Sequence, residues 1–370
     1  MKQDLDEPFG NGQGWTTSRQ YLIVRVVAED GTEGYGECWG PIAGNDRVVE
    51  DVIGPLIIGE SATATGRLWE EILFKLRWAY HSFAPYSALS GVDIALWDLK
   101  GKLLGEPIHE LLGGAFRESV PAYATGHYFR KVSSLDEQIA AVLKEADSHI
   151  RDGFDTLKLK IGLKLLGWGV DADVALMRAL HESVGSRASL MIDANCAYTA
   201  PEVLKVGRAA EELGIIWFEE PLPPDDLSGY SELTAKLDVP VAAGESWALL
   251  SGFHEVFTRR CVSVAQPDVS SAGGITEVKR IADLAHALNV SCIPHVWGTP
   301  IAMAASLHIL STLPGTALLE FDRSDNRIRE SLLPEDMKVG DDSSVKVPTK
   351  PGLGIDFQPE QLEPFLATTR

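Results

Sequence analysis

Three acids recur at one interval: Asp193, Glu219 and Glu245 lie 26 residues apart. If that interval is one strand-helix repeat, the three carboxylates stand at equal height on consecutive parallel strands and can face one point. Crowded carboxylates repel one another and raise each other's pKa. A hard divalent cation that takes oxygen ligands relieves this, and Mg²⁺ is the natural candidate. A single acid at a strand end is ordinarily just solvated or capping a loop; three in register call for a common task.

Upstream, Lys158 and Lys160 are two apart, so on a strand both project to the same face. With Leu157, Leu159 and Ile161 flanking them, that face is interior rather than a solvated edge. Two buried ammonium groups disfavour each other's charge, which is expected to lower a lysine pKa and give a base near neutral pH. Downstream, Asp268 and His295 fall at the ends of adjacent strands, where a carboxylate can fix one imidazole tautomer. Glu320 ends the last strand, Asn195 follows Asp193, and the first strand offers Tyr123, Thr125 and His127.

These side chains need a scaffold that brings strand ends together. From residue 120 onward short apolar segments alternate with helical ones, at 120–125, 156–161, 190–194, 215–219, 239–244, 262–266, 290–294 and 317–321. Ser134 with Glu137 and Thr199 with Glu202 have capping-box spacing, and Gly153, Gly214 and Asn289 sit where helix C-caps belong. Eight such units in about 200 residues favour an α/β barrel, whose active site gathers at the C-terminal strand ends. Residues 1–115 read instead as α+β. A hairpin of 20–28 with 33–38 is followed by helices at 48–53, ended by Gly54-Pro55, at 65–80 and at 87–104. The expected division is 1–115, a barrel over 116–325, and a tail from 326 to 370 that returns to the first unit.

Composition narrows the partners. The chain has 370 residues, with 45% hydrophobic and 23% charged, enough for a sizeable core. Its 33 basic residues against 53 acidic give a net charge of −20, which opposes nucleic acid and anionic membranes and leaves a small molecule as the expected partner. Cys38, Cys196, Cys261 and Cys292 are scattered without a CxxC pair, as expected of reduced thiols in a cytoplasm. No stretch reads as a signal peptide or membrane span. Gly10, Gly12 and Gly14 precede a strand rather than follow one, so they are read as a mobile loop and not a dinucleotide fingerprint; Trp15 and Arg19 flank it and could close over a ligand. HExxH, GxSxG and P-loop motifs are missing.

Taken together, Lys158-Leu159-Lys160, Asp193-Ala194-Asn195, Phe218-Glu219-Glu220-Pro221, Gly244-Glu245 and the Asp268/His295 pair resemble the motifs of the enolase superfamily, mandelate racemase subgroup. The resemblance spans nearly the whole chain. It implies a modified (β/α)8 TIM barrel of (β/α)7β type, capped by an α+β domain built from both termini. It also implies Mg²⁺ on Asp193, Glu219 and Glu245, Lys160 as one base, and Glu320 as a hydrogen-bond partner of a substrate carboxylate. Residues 122–126, the run from Pro294 through Trp297 to Thr299, and 320–323 are similar to those of acid-sugar enzymes, galactarolactone cycloisomerases among them. Subgroup members usually begin with an extra strand before the position of Leu5, where this sequence has almost nothing.

The implied chemistry removes the proton α to a carboxylate through an enediolate. Elimination of a β leaving group from an acid sugar or its lactone is favoured, with racemisation of a 2-hydroxy acid as the alternative and a non-catalytic acid binder as the contrasting class. Asn195, Tyr123, Thr125, Trp297, Trp15 and Arg19 are the candidate substrate contacts, with specificity expected from 10–19 and the loop near 41–46. Relatives are commonly symmetric assemblies, so a homo-oligomer is expected.

Overall fold

The computed structural model describes residues 1–40, 42–81, 84–356 and 359–366. Pro41, at the start of the expected 41–46 specificity loop, lies outside them. The chain opens with two antiparallel hairpins, β1 (Lys2–Asn11) with β2 (Gly14–Gln20) and β3 (Leu22–Val27) with β4 (Glu33–Cys38). The second follows the sequence expectation. The first replaces the expected loop, and its tip is a tight turn in which Asn11 Oδ1 accepts from the N–H groups of Gln13 and Gly14 at 3.0 and 3.3 Å. Gly12 is needed there for close approach, because a Cβ would lie 2.1 Å from the Ala194 carbonyl oxygen. The glycine-rich segment therefore rests on the barrel mouth, beside the backbone that follows Asp193.

The helix Tyr86–Leu104 is buried around most of its circumference. It lies so close to β4 that a Cβ on Gly36 would meet the Gly91 carbonyl oxygen at 1.9 Å. The expected stop at Gly54-Pro55 does not occur: helical turns run on from Asn45–Arg47 through Val48–Ile53 to Gly54–Ile57. Pro55 sits in the first turn of the last piece, where no N–H is required.

Eight parallel strands then follow, each at its expected place: β5 (Ser119–Thr125), β6 (Thr156–Lys160), β7 (Ser189–Asp193), β8 (Phe218–Glu219), β9 (Val241–Ala243), β10 (Val264–Ala265), β11 (Ser291–Cys292) and β12 (Leu319–Asp322). Their order is β11-β10-β9-β8-β7-β6-β5-β12, a single curled sheet. Among the described residues no ladder joins β11 to β12. That seam is spanned by the Val296 N–H, which donates to Glu320 Oε2 at 3.1 Å. A ninth strand, β13 (Ser344–Lys346), pairs antiparallel with β5, while Asn326 and Arg327 in the same tail bond to Tyr21 and Gln3 of the first hairpins.

The intervening helices are capped as read. Ser134 Oγ accepts from Glu137 N–H, and Thr199 with Glu202 forms a full capping box. Gly153, Gly214 and Asn289 hold the left-handed φ of 96°, 63° and 58° that ends each helix. Inside the barrel, Tyr123, Met191, Trp217, Ala242, Val264 and Ile293 form a separate apolar cluster. Met191, Trp217 and Ile293 each stand two residues before Asp193, Glu219 or His295, in or immediately flanking β7, β8 and β11. Alternation thus builds a dry floor and sets the ionisable groups directly above it.

Candidate active site

Register places the charged groups in one layer. Lys160 pairs with Asp193 across β6–β7 and Asp193 with Glu219 across β7–β8, while Asp268 and His295 form a bridge of their own. Lys158 is completely buried, and its Nζ lies 2.5 Å from Glu219 Oε1, 2.7 Å from Glu320 Oε1 and 3.8 Å from Asp193 Oδ2. Lys160 Nζ bonds Asp193 Oδ2. Trp217 Nε1 and Gln266 Nε2 donate to Glu219 Oε2 at 3.0 and 2.7 Å. His295 holds Asp268 Oδ2 through Nδ1 at 2.6 Å and faces Glu245 Oε2 through Nε2 at 3.2 Å. Asp268 is fixed in turn by Ser270, whose N–H and Oγ both donate to Oδ1.

The electrostatics follow from this crowding. Burial alone would lower the pKa of Lys158, but Glu219, Glu320 and Asp193 drive it well above the ordinary lysine range. Lys160 is raised as well, against the same burial, chiefly by Asp193. The expectation of a lysine neutral near pH 7 therefore does not hold for the free protein, because facing carboxylates outweigh lysine–lysine repulsion. Burial also opposes the charge on His295, yet Glu245, Glu320 and the Asp268 bond lift it to about 10. Burial, with Asp193 and Glu320 nearby, pushes Glu219 up to about 7 despite Lys158. Glu220, buried beside Glu245, is raised well above its usual value.

Asp193, Glu219 and Glu245 supply only oxygen donors at neighbouring strand ends, and the acidic layer holds more negative charge than its two lysines balance. That donor set fits a hard divalent cation. Asp193, Glu219 and Glu245 would hold it; in this structure Glu245 faces His295 and Asp193 bonds Lys160.

Above the layer is a cavity of about 240 Å³. Lys160, Asn195, Glu245, His295 and Trp297 reach it from the barrel, and Trp15 from the first hairpin. Arg19 does not reach it. Its guanidinium is buried behind the wall, 2.7 Å from Asp322 Oδ2 and 3.8 Å from the centre of the Trp297 ring. Tyr123 belongs to the floor, edge-on to Trp217 and beneath Lys158, and Thr125 is buried away from the cavity. Asn195 adopts a left-handed φ of 41°, and its N–H donates to Asp193 Oδ1 at 2.8 Å.

Residues 3–113 match the mandelate racemase / muconate lactonizing enzyme N-terminal domain, and residues 141–361 match the enolase C-terminal domain-like family. The chain is a member of the mandelate racemase/muconate lactonizing enzyme family. It is thus an enzyme of the enolase superfamily. Relatives within that family include the D-galactarolactone cycloisomerase of Agrobacterium fabrum, 37% identical over 99% of this chain and 96% of the relative. The arabinonate dehydratase of Saccharolobus solfataricus is 32% identical over 94% and 90%. Among solved structures, the 3,6-anhydro-D-galactonate cycloisomerase from Zobellia galactanivorans superposes with a TM-score of 0.86 at 36% identity, covering all of both chains. A racemase from Streptomyces coelicolor with bound magnesium superposes with a TM-score of 0.86 at 28% identity, over 98% and 96%.

Sequence reasoning missed several groups of this family member's cavity. Tyr128 lines it, accepting from Trp297 Nε1 at 3.0 Å and packing on Phe9. Its position in the loop after the first barrel strand was the available signal. Trp39 lies edge-on to His295 with ring centres 5.5 Å apart, whereas Asn11, Gln13 and Thr16 fall within the segment 10–19 from which specificity was expected, although the hairpin that carries them was not.

Proposed function

We propose that the enzyme abstracts the α proton of a sugar acid held in the 240 Å³ cavity and eliminates the oxygen substituent on the β carbon, as a dehydratase or a lactone cycloisomerase. The observation that carries this reading is that two proton carriers, Lys160 and His295, reach one cavity from different strands above a layer of buried acids. One carrier, in its neutral form, takes the α proton, and the C–H electrons pass into an enediolate. Collapse of the enediolate breaks the β C–O bond, the other carrier protonates the departing oxygen, and the resulting enol becomes a 2-keto acid. Lys158, fully charged and fixed by Glu320 and Glu219, faces the growing negative charge without having to reorganise. Mg²⁺ bound by Asp193, Glu219 and Glu245 would stabilise that charge and neutralise the acids that keep Lys160 and His295 protonated.

The wall favours a ring over an extended chain. Trp15, Trp39, Tyr128 and Trp297 present aromatic surface, Asn11, Gln13 and Thr16 offer neutral hydrogen bonds, and no arginine lines the cavity among the described residues. A lactone or anhydro-ring monocarboxylate matches this lining, in keeping with the two cycloisomerase relatives. Racemisation stays the second reading, because carriers from two strands equally serve proton removal and return.

Proton NMR in D2O with Mg²⁺, over a set of aldonates, aldarates and their lactones, tests both. A 2-keto acid product supports elimination. Deuterium at the α carbon with no new product means racemisation, and no change with any acid removes both. Lys160→Ala is expected to abolish turnover; unchanged activity would take that lysine out of the mechanism.

A further inference from the structure

On the outer side of the barrel wall, a second group of ligand-type side chains plays no part in the chemistry above. The loop after β5 turns at His127, with φ of 55°, and buries the ring completely. Its Nδ1 lies 3.0 Å from the Lys158 carbonyl oxygen. A carbonyl only accepts, so Nδ1 carries the hydrogen and Nε2 presents a lone pair. That Nε2 is buried and has no partner.

Facing it, the helix Leu135–Arg151 presents Glu145 and His149 one turn apart on the same side. The His149 ring is buried, edge-on to His127 with centres 4.9 Å apart, and its Nδ1 is likewise unpartnered. Glu145 Oε1 accepts the His127 N–H at 2.8 Å and lies 4.0 Å from His149 Nε2, while Arg130 occupies Oε2 at 3.2 Å. One ligand atom from each of the three residues lies within 4.8 Å of the others. A tetrahedral zinc with bonds of about 2.0–2.1 Å holds its ligands about 3.3 Å apart, so modest side-chain rotation closes the set.

We propose that His127, Glu145 and His149 form a second metal site, selective for a zinc-class cation and separate from the acidic layer of the barrel mouth. Two imidazoles and one carboxylate suit zinc, cobalt or nickel, whereas the mouth offers oxygen donors suited to magnesium. The supporting contacts of such a site are in place: Nδ1–H of His127 on a backbone carbonyl, and Arg130 on the outer carboxylate oxygen. Glu145 and His149 also line a cavity of about 930 Å³ that shares no lining residue with the one above the mouth, which leaves room for a water or anionic ligand at the open position. The bound cation ties the loop after β5 to the helix and, through His127, to the backbone of Lys158. It acts as a brace.

The full-length protein, stripped with a chelator and returned to excess Mg²⁺, is titrated with Zn²⁺ and its metal content measured after gel filtration. One zinc per chain is expected alongside Mg²⁺. Asp193→Asn keeps it, and His149→Gln weakens it by about 100-fold or more, exceeding the loss of a mere supporting group. No retained zinc, zinc retained in His149→Gln, or zinc lost in Asp193→Asn each overturns the proposal. Should His149→Gln fail to fold, imidazole nitrogen NMR of the unaltered protein decides. Zinc must shift one nitrogen each of His127 and His149, and unmoved resonances reject the site.

Discussion

Replacing Glu37 by Gln is expected to make the enzyme relatively more stable as pH rises. Glu37 ends in the barrel although it belongs to β4, and its carboxyl is buried. It accepts from Thr299 N–H at 3.0–3.1 Å and Thr299 Oγ1 at 2.6 Å, with Ala302 N–H at 3.4 Å. Burial, reinforced by Asp268 and opposed by the Thr299 bonds, pushes its pKa to about 7. An acid whose native pKa is raised keeps a proton that the unfolded chain releases near 4.5. Its contribution is complete below 4.5 and is lost as pH climbs through 7. The gap from 4.5 to about 7 is worth about 3 kcal/mol. At about 2.1 cal/mol/K per residue, unfolding 370 residues has an entropy of about 0.8 kcal/mol/K, so this amounts to about 4 °C. Glutamine cannot ionise. Melting curves from pH 4.5 to 8 should therefore show the Tm of Glu37→Gln rising by about 4 °C relative to the parent, whatever their offset at pH 4.5. Asp93, also raised to about 7 by burial, is common to both proteins and cancels. Parallel curves would refute the reasoning, showing that Thr299 and Ala302 hold an ionised carboxylate without strain.

Three further outcomes are expected. Arg19→Met strips Asp322 of its nearer partner and leaves Arg329 at 3.3 Å, so most of the roughly 3–5 kcal/mol lost on breaking a buried pair should appear as a Tm lower by about 4–6 °C; a drop under about 1 °C would mean Arg329 suffices. Chelation and Asp193→Asn should each abolish turnover, but only the chelated enzyme should recover with Mg²⁺, and indifference to chelator would reject the metal assignment. Thr199→Ala removes the side-chain half of a capping box, leaving the backbone N–H of residue 199 on the Glu202 carboxylate, at a cost of about 1 kcal/mol, or about 1 °C, with kinetics unchanged; an altered KM would show that the following helix moves the Asn195 loop.

The barrel was legible because its strands are apolar and the chemistry repeats with the fold. The interval of 26 residues and the alternation of Met191 with Asp193 or Trp217 with Glu219 are local patterns. β1 was not legible. Its register shifts between Asp4 and Phe9: Gln3 and Leu5 are buried in alternation, but Glu7 is exposed and Phe9 and Gly10 are buried side by side in an otherwise polar segment. Arg19 points inward only because Asp322 waits 303 residues away, a partner that no window of sequence contains. The lysine protonation was misjudged for a related reason: the two lysines are neighbours in sequence, whereas the carboxylates that outweigh their repulsion arrive from β7, β8 and β12. Tyr128 and Trp39 sit in loops, where no periodicity announces direction.

The unlaced joint between β11 and β12 gives Glu320 two employers. One oxygen grips Lys158 and the other holds the Val296 amide, the stitch that the described backbone leaves to a side chain. A ligand that draws this carboxylate toward itself must also loosen the hoop of the barrel, so solvent exchange at a single amide, that of Val296, becomes a gauge of occupancy.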